Sequence, residues 1–250
     1  MPAGERRRSV PGTAGARVLI IEHDRKTPGG LVQEWFDRRT AGVDVLPIDV
    51  ERLPISSLAE YGLLISLGSG HSANEDLDWI EHELELLTEA DRQGLPVLGI
   101  CFGSQILSRA LGGRVSAAER AEIGWFEIGS REPGLVPDGP WFQWHFDAFE
   151  APPGAVVLAS NRSGPQVFRR GPHLGLQFHP EVTPEIVEVW IDAFRYELDR
   201  EGVNPDRLLD ETRRRVAGAS AGLDRVLSWF VGEIANGGGG RSPTGGGTLG

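Results

Sequence analysis

The chain has 250 residues, enough for one large domain with a buried core, and two full domains would be a tight fit. Its 40% hydrophobic and 24% charged residues are ordinary for a soluble globular protein. The formal net charge of −11 argues against a nucleic-acid backbone or an anionic membrane as main partner, since both select positive charge. No run of eighteen apolar residues occurs, and the charged start has no apolar signal-peptide core, so neither a span nor a signal peptide is expected. The single cysteine permits no intramolecular disulfide and suits a reducing compartment. A cytoplasmic protein is the expectation.

Residues 1–16, rich in Pro, Gly and Ala and carrying Arg6-Arg7-Arg8, read as a flexible leader. Residues 17–22 (RVLIIE) have the apolar, β-branched pattern of a buried strand. Residues 30–39 place Leu31, Val32, Trp35 and Phe36 at helical spacing. Residues 43–50 predict a second strand, with Pro47 marking an edge or an early end. Strands at 61–67 and 96–100 flank a helix over 76–92, on which Leu77, Ile80, Leu84 and Leu87 form a stripe. A further helix is expected from Cys101 to Leu111. Strands alternating with helices, each strand a continuous apolar run, predict an α/β fold with a mainly parallel central sheet covered on both faces.

After Gly112 the texture changes. Short β-like pieces at 124–129, 141–144, 155–160, 166–169 and 175–178 predict a small antiparallel excursion that rejoins the sheet near His179. Residues 183–200 predict one helix, with Thr183 as cap, Pro184 in the first turn and Glu185 at the positive end. Two further helices are read at 205–217 and 219–235, a C-terminal helical extension. In the second, Leu223, Val226, Leu227, Phe230 and Ile234 form an apolar stripe that could dock on the parent domain or face a partner subunit. Residues 236–250, mostly Gly, Ser, Pro and Thr, read as a disordered tail.

Two segments carry chemistry. Gly99-Ile100-Cys101-Phe102-Gly103 lies between an apolar strand and a helix, where a nucleophile must stand proud of the backbone and its neighbours two residues away must be small. Cys101 would then sit at a helix N-terminus, where dipole and free amides favour thiolate and can receive an oxyanion. A buried structural Cys ending a strand is the alternative. In Gln177-Phe178-His179-Pro180-Glu181, a His at a strand end is followed two residues on by a carboxylate. Such a pair supplies a base that takes and returns a proton and an acceptor that fixes its tautomer. The plainer alternative is a surface His beside an unrelated Glu. His145 has no second ligand at zinc spacing nearby, so no metal site is expected there.

These segments, with Leu67-Gly68-Ser69-Gly70, Ser104-Gln105, Leu111-Gly112-Gly113, Glu122-Ile123-Gly124-Trp125 and Trp144-His145-Phe146-Asp147 in order, resemble the class I glutamine amidotransferase family. Within it they are similar to the amidotransferase domain of GMP synthase, over roughly residues 17–200. The resemblance implies a flavodoxin-like fold in which Cys101 is nucleophile, His179 general acid/base and Glu181 its orienter. It implies that the backbone amides of Phe102 and Ser69, the latter in the Gly68 loop, form the oxyanion hole, each donor worth about 3–4 kcal/mol. Gln105 and a loop of Trp144, His145, Phe146 and Asp147 would, with Gly68, bind the glutaminyl group. One departure stands out: Gly68-Ser69-Gly70-His71 replaces the family's Gly-Gly-Pro or Gly-Pro-Gly, and Ser resists the positive φ that Gly accepts.

The preferred reading is a hydrolase that cleaves the γ-glutamyl amide of glutamine through a Cys thioester, without metal or organic cofactor. Nothing like a synthetase domain is read after residue 200, so ammonia would pass to an acceptor enzyme on another chain. The alternative is a self-sufficient γ-glutamyl peptidase, and a third reading is an inactive binding protein on the same fold. A homo-oligomer is compatible with each.

Overall fold

The structure, a computed structural model, describes residues 16–235. The expected tail, and the expected leader except Ala16, lie outside the described residues, as does the side chain of Ile234. Up to residue 111 the chain alternates as expected: β1 (Arg17–Glu22), α1 (Gly30–Asp37), β2 (Gly42–Pro47), β3 (Tyr61–Ser66), α2 (Asp78–Gln93), β4 (Val97–Ile100) and α3 (Phe102–Ala110). Then come β5 (Val115–Phe126), β6 (Gly129–Ser130), β7 (Trp141–Phe149), β8 (Val156–Asn161), β9 (Gly164–Arg170) and β10 (His173–Leu176). Three helices follow: α4 (Pro184–Ala193), α5 (Arg195–Glu201) and α6 (Pro205–Ala235). A 3-10 turn at Ile55–Glu60 has no counterpart in the expectations.

The main sheet has eight strands in the order β2-β1-β3-β4-β10-β9-β8-β6. From β2 through β10 every pairing is parallel, and β9, β8 and β6 continue the sheet antiparallel. Only β5 and β7 leave it, as a separate two-stranded ribbon. The antiparallel excursion is therefore divided: most of it widens the main sheet, and β10 rejoins the parallel part beside β4. β2 forms the edge and stops at Pro47, in keeping with a residue that cannot donate to a ladder.

Alternation along the strands builds a core on each face. Val18, Ile20, Leu63 and Ile65 pack on one side with Val32, Trp35 and Phe36 of α1, whereas Leu19, Ile21 and Leu64 pack on the other with α2 and α3. On α2 the buried face runs through Ile80, Glu83, Leu87 and Ala90; Leu77 and Leu84 are only partly buried beside it. The helix read over 183–200 is two helices, broken at Phe194 (φ −115°, ψ 31°). Its N-terminus is as expected, with the Thr183 side chain accepting from Ile186 N at 3.3 Å.

The two C-terminal helices are one continuous helix of 31 residues running through Gly218. A mid-helix glycine costs about 1 kcal/mol relative to Ala, and the packing of α6 outweighs it. Leu223, Val226, Leu227, Phe230 and Val231 are all buried in the core beneath α1, so the stripe docks on the parent domain. Among the described residues no helix is long and apolar enough to cross a membrane.

Candidate active site

The sheet order brings the two chemical segments together. β4 and β10 are parallel neighbours with Ile100 opposite Leu176, so both chains leave the sheet at the same edge. Cys101 follows one strand directly and His179 follows the other by three residues. Cys101 N donates to Leu176 O at 2.8 Å, which ties the turn to β10. Cys101 has φ 49° and ψ −109°, and among the described residues it is the one non-glycine at positive φ. Strain of this kind persists only where the surroundings enforce it. Here they do: a Cβ on Gly99 would collide with the Gly103 carbonyl, and a Cβ on Gly103 would collide with the Ser66 carbonyl. The small residues on either side of the Cys are thus a steric requirement of the turn.

His179 is set by its backbone N, which donates to Phe142 O at 2.8 Å, and by Trp190, whose ring meets it edge-on at 4.8 Å. Its Nδ1 lies 2.7 Å from Glu181 Oε1. An ionised carboxylate can only accept, so Nδ1 carries the hydrogen and Nε2 is left for the Cys101 side. Burial works against a charged imidazole, but the Glu181 carboxylate and Cys101, by charge and by hydrogen bonding, outweigh it. His179 is held well above the ordinary histidine range. The Glu181 backbone is itself anchored, its carbonyl accepting from Leu31 N at 2.9 Å, and Gly30 (φ 43°) leaves no room for a Cβ against that carbonyl.

Cys101 and His179 open into a cavity of about 330 Å³ that also takes in Ser69, Phe102, Gln105 and the stretch from Trp144 to Asp147. Those four residues lie in β7, paired with β5, and not on a loop. Their side chains are largely engaged with the protein. Trp144 Nε1 donates to Glu197 Oε2 at 2.6 Å, His145 Nε2 lies 3.1 Å from Glu122 Oε2, and Asp147 Oδ2 accepts from Ser72 Oγ at 2.5 Å. Phe146 lies under the Arg200 guanidinium at 4.4 Å. Gln105 Nε2 donates to the Asp147 carbonyl at 3.0 Å. Among the described residues no three His, Cys, Asp or Glu side chains gather to hold a metal ion.

The Gly68 loop faces this cavity: a Cβ on Gly68 would lie 2.9 Å from His179 Cε1. Ser69 is not at positive φ, so the serine in place of glycine introduces no backbone strain here. Phe102, the first residue of α3, has an amide beyond the reach of any intrahelical carbonyl.

The family model for class I glutamine amidotransferases matches residues 31–189, more than half of the chain. The chain belongs to the class I glutamine amidotransferase family. It is 37% identical over 151 residues to glutamine-hydrolyzing GMP synthase of Thermus thermophilus, covering 56% of this chain and 30% of that protein. With the same enzyme of Thermomicrobium roseum it shares 35% over 213 residues, covering 76% of this chain and 37% of that protein. The chain therefore spans about a third of the length of these curated relatives. A crystal structure of a glutamine amidotransferase from Thermotoga maritima superposes with TM-score 0.77 at 31% identity, covering 86% of this chain and 98% of that one. A glutamine amidotransferase from Methylobacillus flagellatus gives TM-score 0.77 at 25% identity, covering 94% and 100%.

The stretch matched by the family model stops short of one wall of the cavity. Phe194, Tyr196, Glu197 and Arg200, on and just before α5, line it from beyond residue 189. Sequence reasoning missed them because residues 183–200 read as one helix, with nothing to mark the turn at Phe194 that aims α5 at the site. It also missed His23 and Glu83, a fully buried pair beside the Gly68 loop.

Proposed function

We propose that this chain hydrolyses the γ-glutamyl amide of glutamine and supplies ammonia to an acceptor enzyme on a separate chain. The observation that carries the reading is the nucleophile turn at Cys101 opening into one cavity with His179, whose Nδ1 is 2.7 Å from Glu181. In this reading Nε2 of His179 takes the Cys101 thiol proton, and the thiolate attacks the γ-carbonyl carbon. The oxyanion settles between the amides of Phe102 and Ser69. His179 returns the proton to the departing ammonia as the C–N bond breaks, leaving a glutamyl thioester. Water, deprotonated by His179, then releases glutamate and restores the thiol. None of these steps calls on a metal or an organic cofactor, and a lone thiol of this kind suits the reducing cytoplasm.

Gln105, Trp144, His145, Phe146 and Asp147 would form the wall for the amino-acid end of the substrate, with Gly68 opposite. The GMP synthases it resembles are glutamine-hydrolyzing enzymes by name, which supports glutamine as the substrate. A γ-glutamyl peptidase is favoured by a different observation, the extension of the cavity along Tyr196, Glu197 and Arg200. Glutamate release from L-glutamine and from γ-glutamyl dipeptides, with Cys101→Ala as blank, separates them. Cys101-dependent release mainly from glutamine is expected; release from the dipeptides alone would replace the amidotransferase reading by the peptidase.

A further inference from the structure

The chemistry above leaves one fully buried ionisable pair unused. His23, just beyond β1, and Glu83, on α2, meet with Nε2 and Oε2 2.7 Å apart and both side chains wholly shielded from solvent. Ser66 Oγ donates to the other Glu83 oxygen at 2.6 Å. On the far side of the ring, Nδ1 lies 3.1 Å from the Gly68 carbonyl oxygen. A carbonyl only accepts, so Nδ1 carries a hydrogen wherever the proton between Nε2 and Glu83 resides. Phe102 and Trp79 pack on the imidazole, with ring centroids 4.7 and 5.4 Å away, and hold its orientation.

Gly68 O and the Ser69 N–H belong to one peptide unit. Among the described residues the cis bond is Gly139–Pro140, so this unit is trans and its N–H points opposite to its C=O. With the carbonyl drawn towards His23, the N–H faces away from His23; Gly68 itself approaches His179 and Cys101, and Ser69 lines the same cavity as they do. No hydrogen bond among the described residues uses the Ser69 N–H. Residues 68–71 contain no proline to stiffen the loop, so the peptide needs an external hold against turning over.

We propose that His23, braced by Glu83, is a positioning residue that locks the Gly68–Ser69 peptide with its N–H towards the oxyanion. The proposal rests on the hydrolase reading and on Ser69 as one half of the oxyanion hole. The lock acts on charge that exists only in the tetrahedral states, so its loss falls on kcat and spares KM.

His23→Phe keeps the ring and its packing but removes the donor. Deleting an oxyanion donor outright costs about 10²–10³ in kcat, and freeing this one to turn away should cost about tenfold or more. The measurements are glutamate release from L-glutamine, affinity for the γ-aldehyde analogue of glutamate, and the rate of Cys101 alkylation by iodoacetamide. The aldehyde adds to the thiol and forms the same oxyanion; alkylation forms none. In His23→Phe, kcat and aldehyde affinity should fall together, with KM and alkylation unchanged. Glu83→Gln should behave like wild type, because its amide can donate to Nε2 and its oxygen can accept from Ser66. The double variant His23→Phe, Glu83→Leu removes the stranded carboxylate as well, and serves if the single variant folds poorly. An active wild type whose His23→Phe form keeps kcat, or loses kcat, KM and alkylation together, overturns the lock alone. A wild type inert to glutamine and aldehyde overturns the hydrolase reading, and the lock with it.

Discussion

Two short carboxylate–imidazole contacts, His179–Glu181 and His23–Glu83, stand on either side of the Gly68 loop, and they differ in how visible they are from the chain. The first pair is two residues apart on one turn, so spacing alone suggested it. The second spans 60 residues and forms only when α2 folds over the end of β1, so neither residue carries a local signal. The raised pKa of His179 makes stability depend on pH. Its folded pKa lies above the unfolded value near 6.5, so its protonation contributes stability that is fully present below about pH 6.5. That contribution is lost as pH rises through the raised folded value. Glu181→Gln removes a charge that holds the value up, and imidazole NMR should follow the His179 titration downwards. A titration that stays put or rises would contradict the assignment of Glu181 as the partner.

The turn at Cys101 was legible because its requirement is local: one residue in a strained conformation, with small neighbours where strand and helix backbones nearly touch. Gly103→Ala tests that requirement at the level of the element. Its Cβ would press into the Ser66 carbonyl on β3, a backbone group that cannot swing aside, and against the Ser66 hydroxyl. Overpacking of this kind costs about 1–3 kcal/mol. A lowered urea midpoint and a large drop in glutamate release are expected, and unchanged stability would mean that the turn is looser than described. Element boundaries were less legible where tertiary contacts decide them. The break at Phe194 has neither Gly nor Pro within the turn, and α6 continues through Gly218 because its buried face resumes on the far side. In the same way β5 and β7 are long strands of one ribbon, although only fragments of each have a strand pattern.

Across the whole molecule the α/β class followed from alternation alone, whereas the allocation of the later strands did not, since non-local pairing decides which of them join the main sheet. The C-terminal helix is part of the same core: Leu223, Val226, Leu227, Phe230 and Val231 pack with Trp35 and Phe36 of α1 and with the strands beneath. Leu227→Ala should therefore cost about 2–5 kcal/mol of global stability, seen as one shifted unfolding transition. A separate early transition for α6, with the rest unmoved, would show that the helix folds apart from the sheet. Sheet order, turn and charge pair all converge on one thiol. Glutamate release from L-glutamine by the wild-type chain and by Cys101→Ala, at matched folding, tests it most directly. Release should disappear with the thiol; release at the wild-type rate without Cys101 would rule out the thioester route.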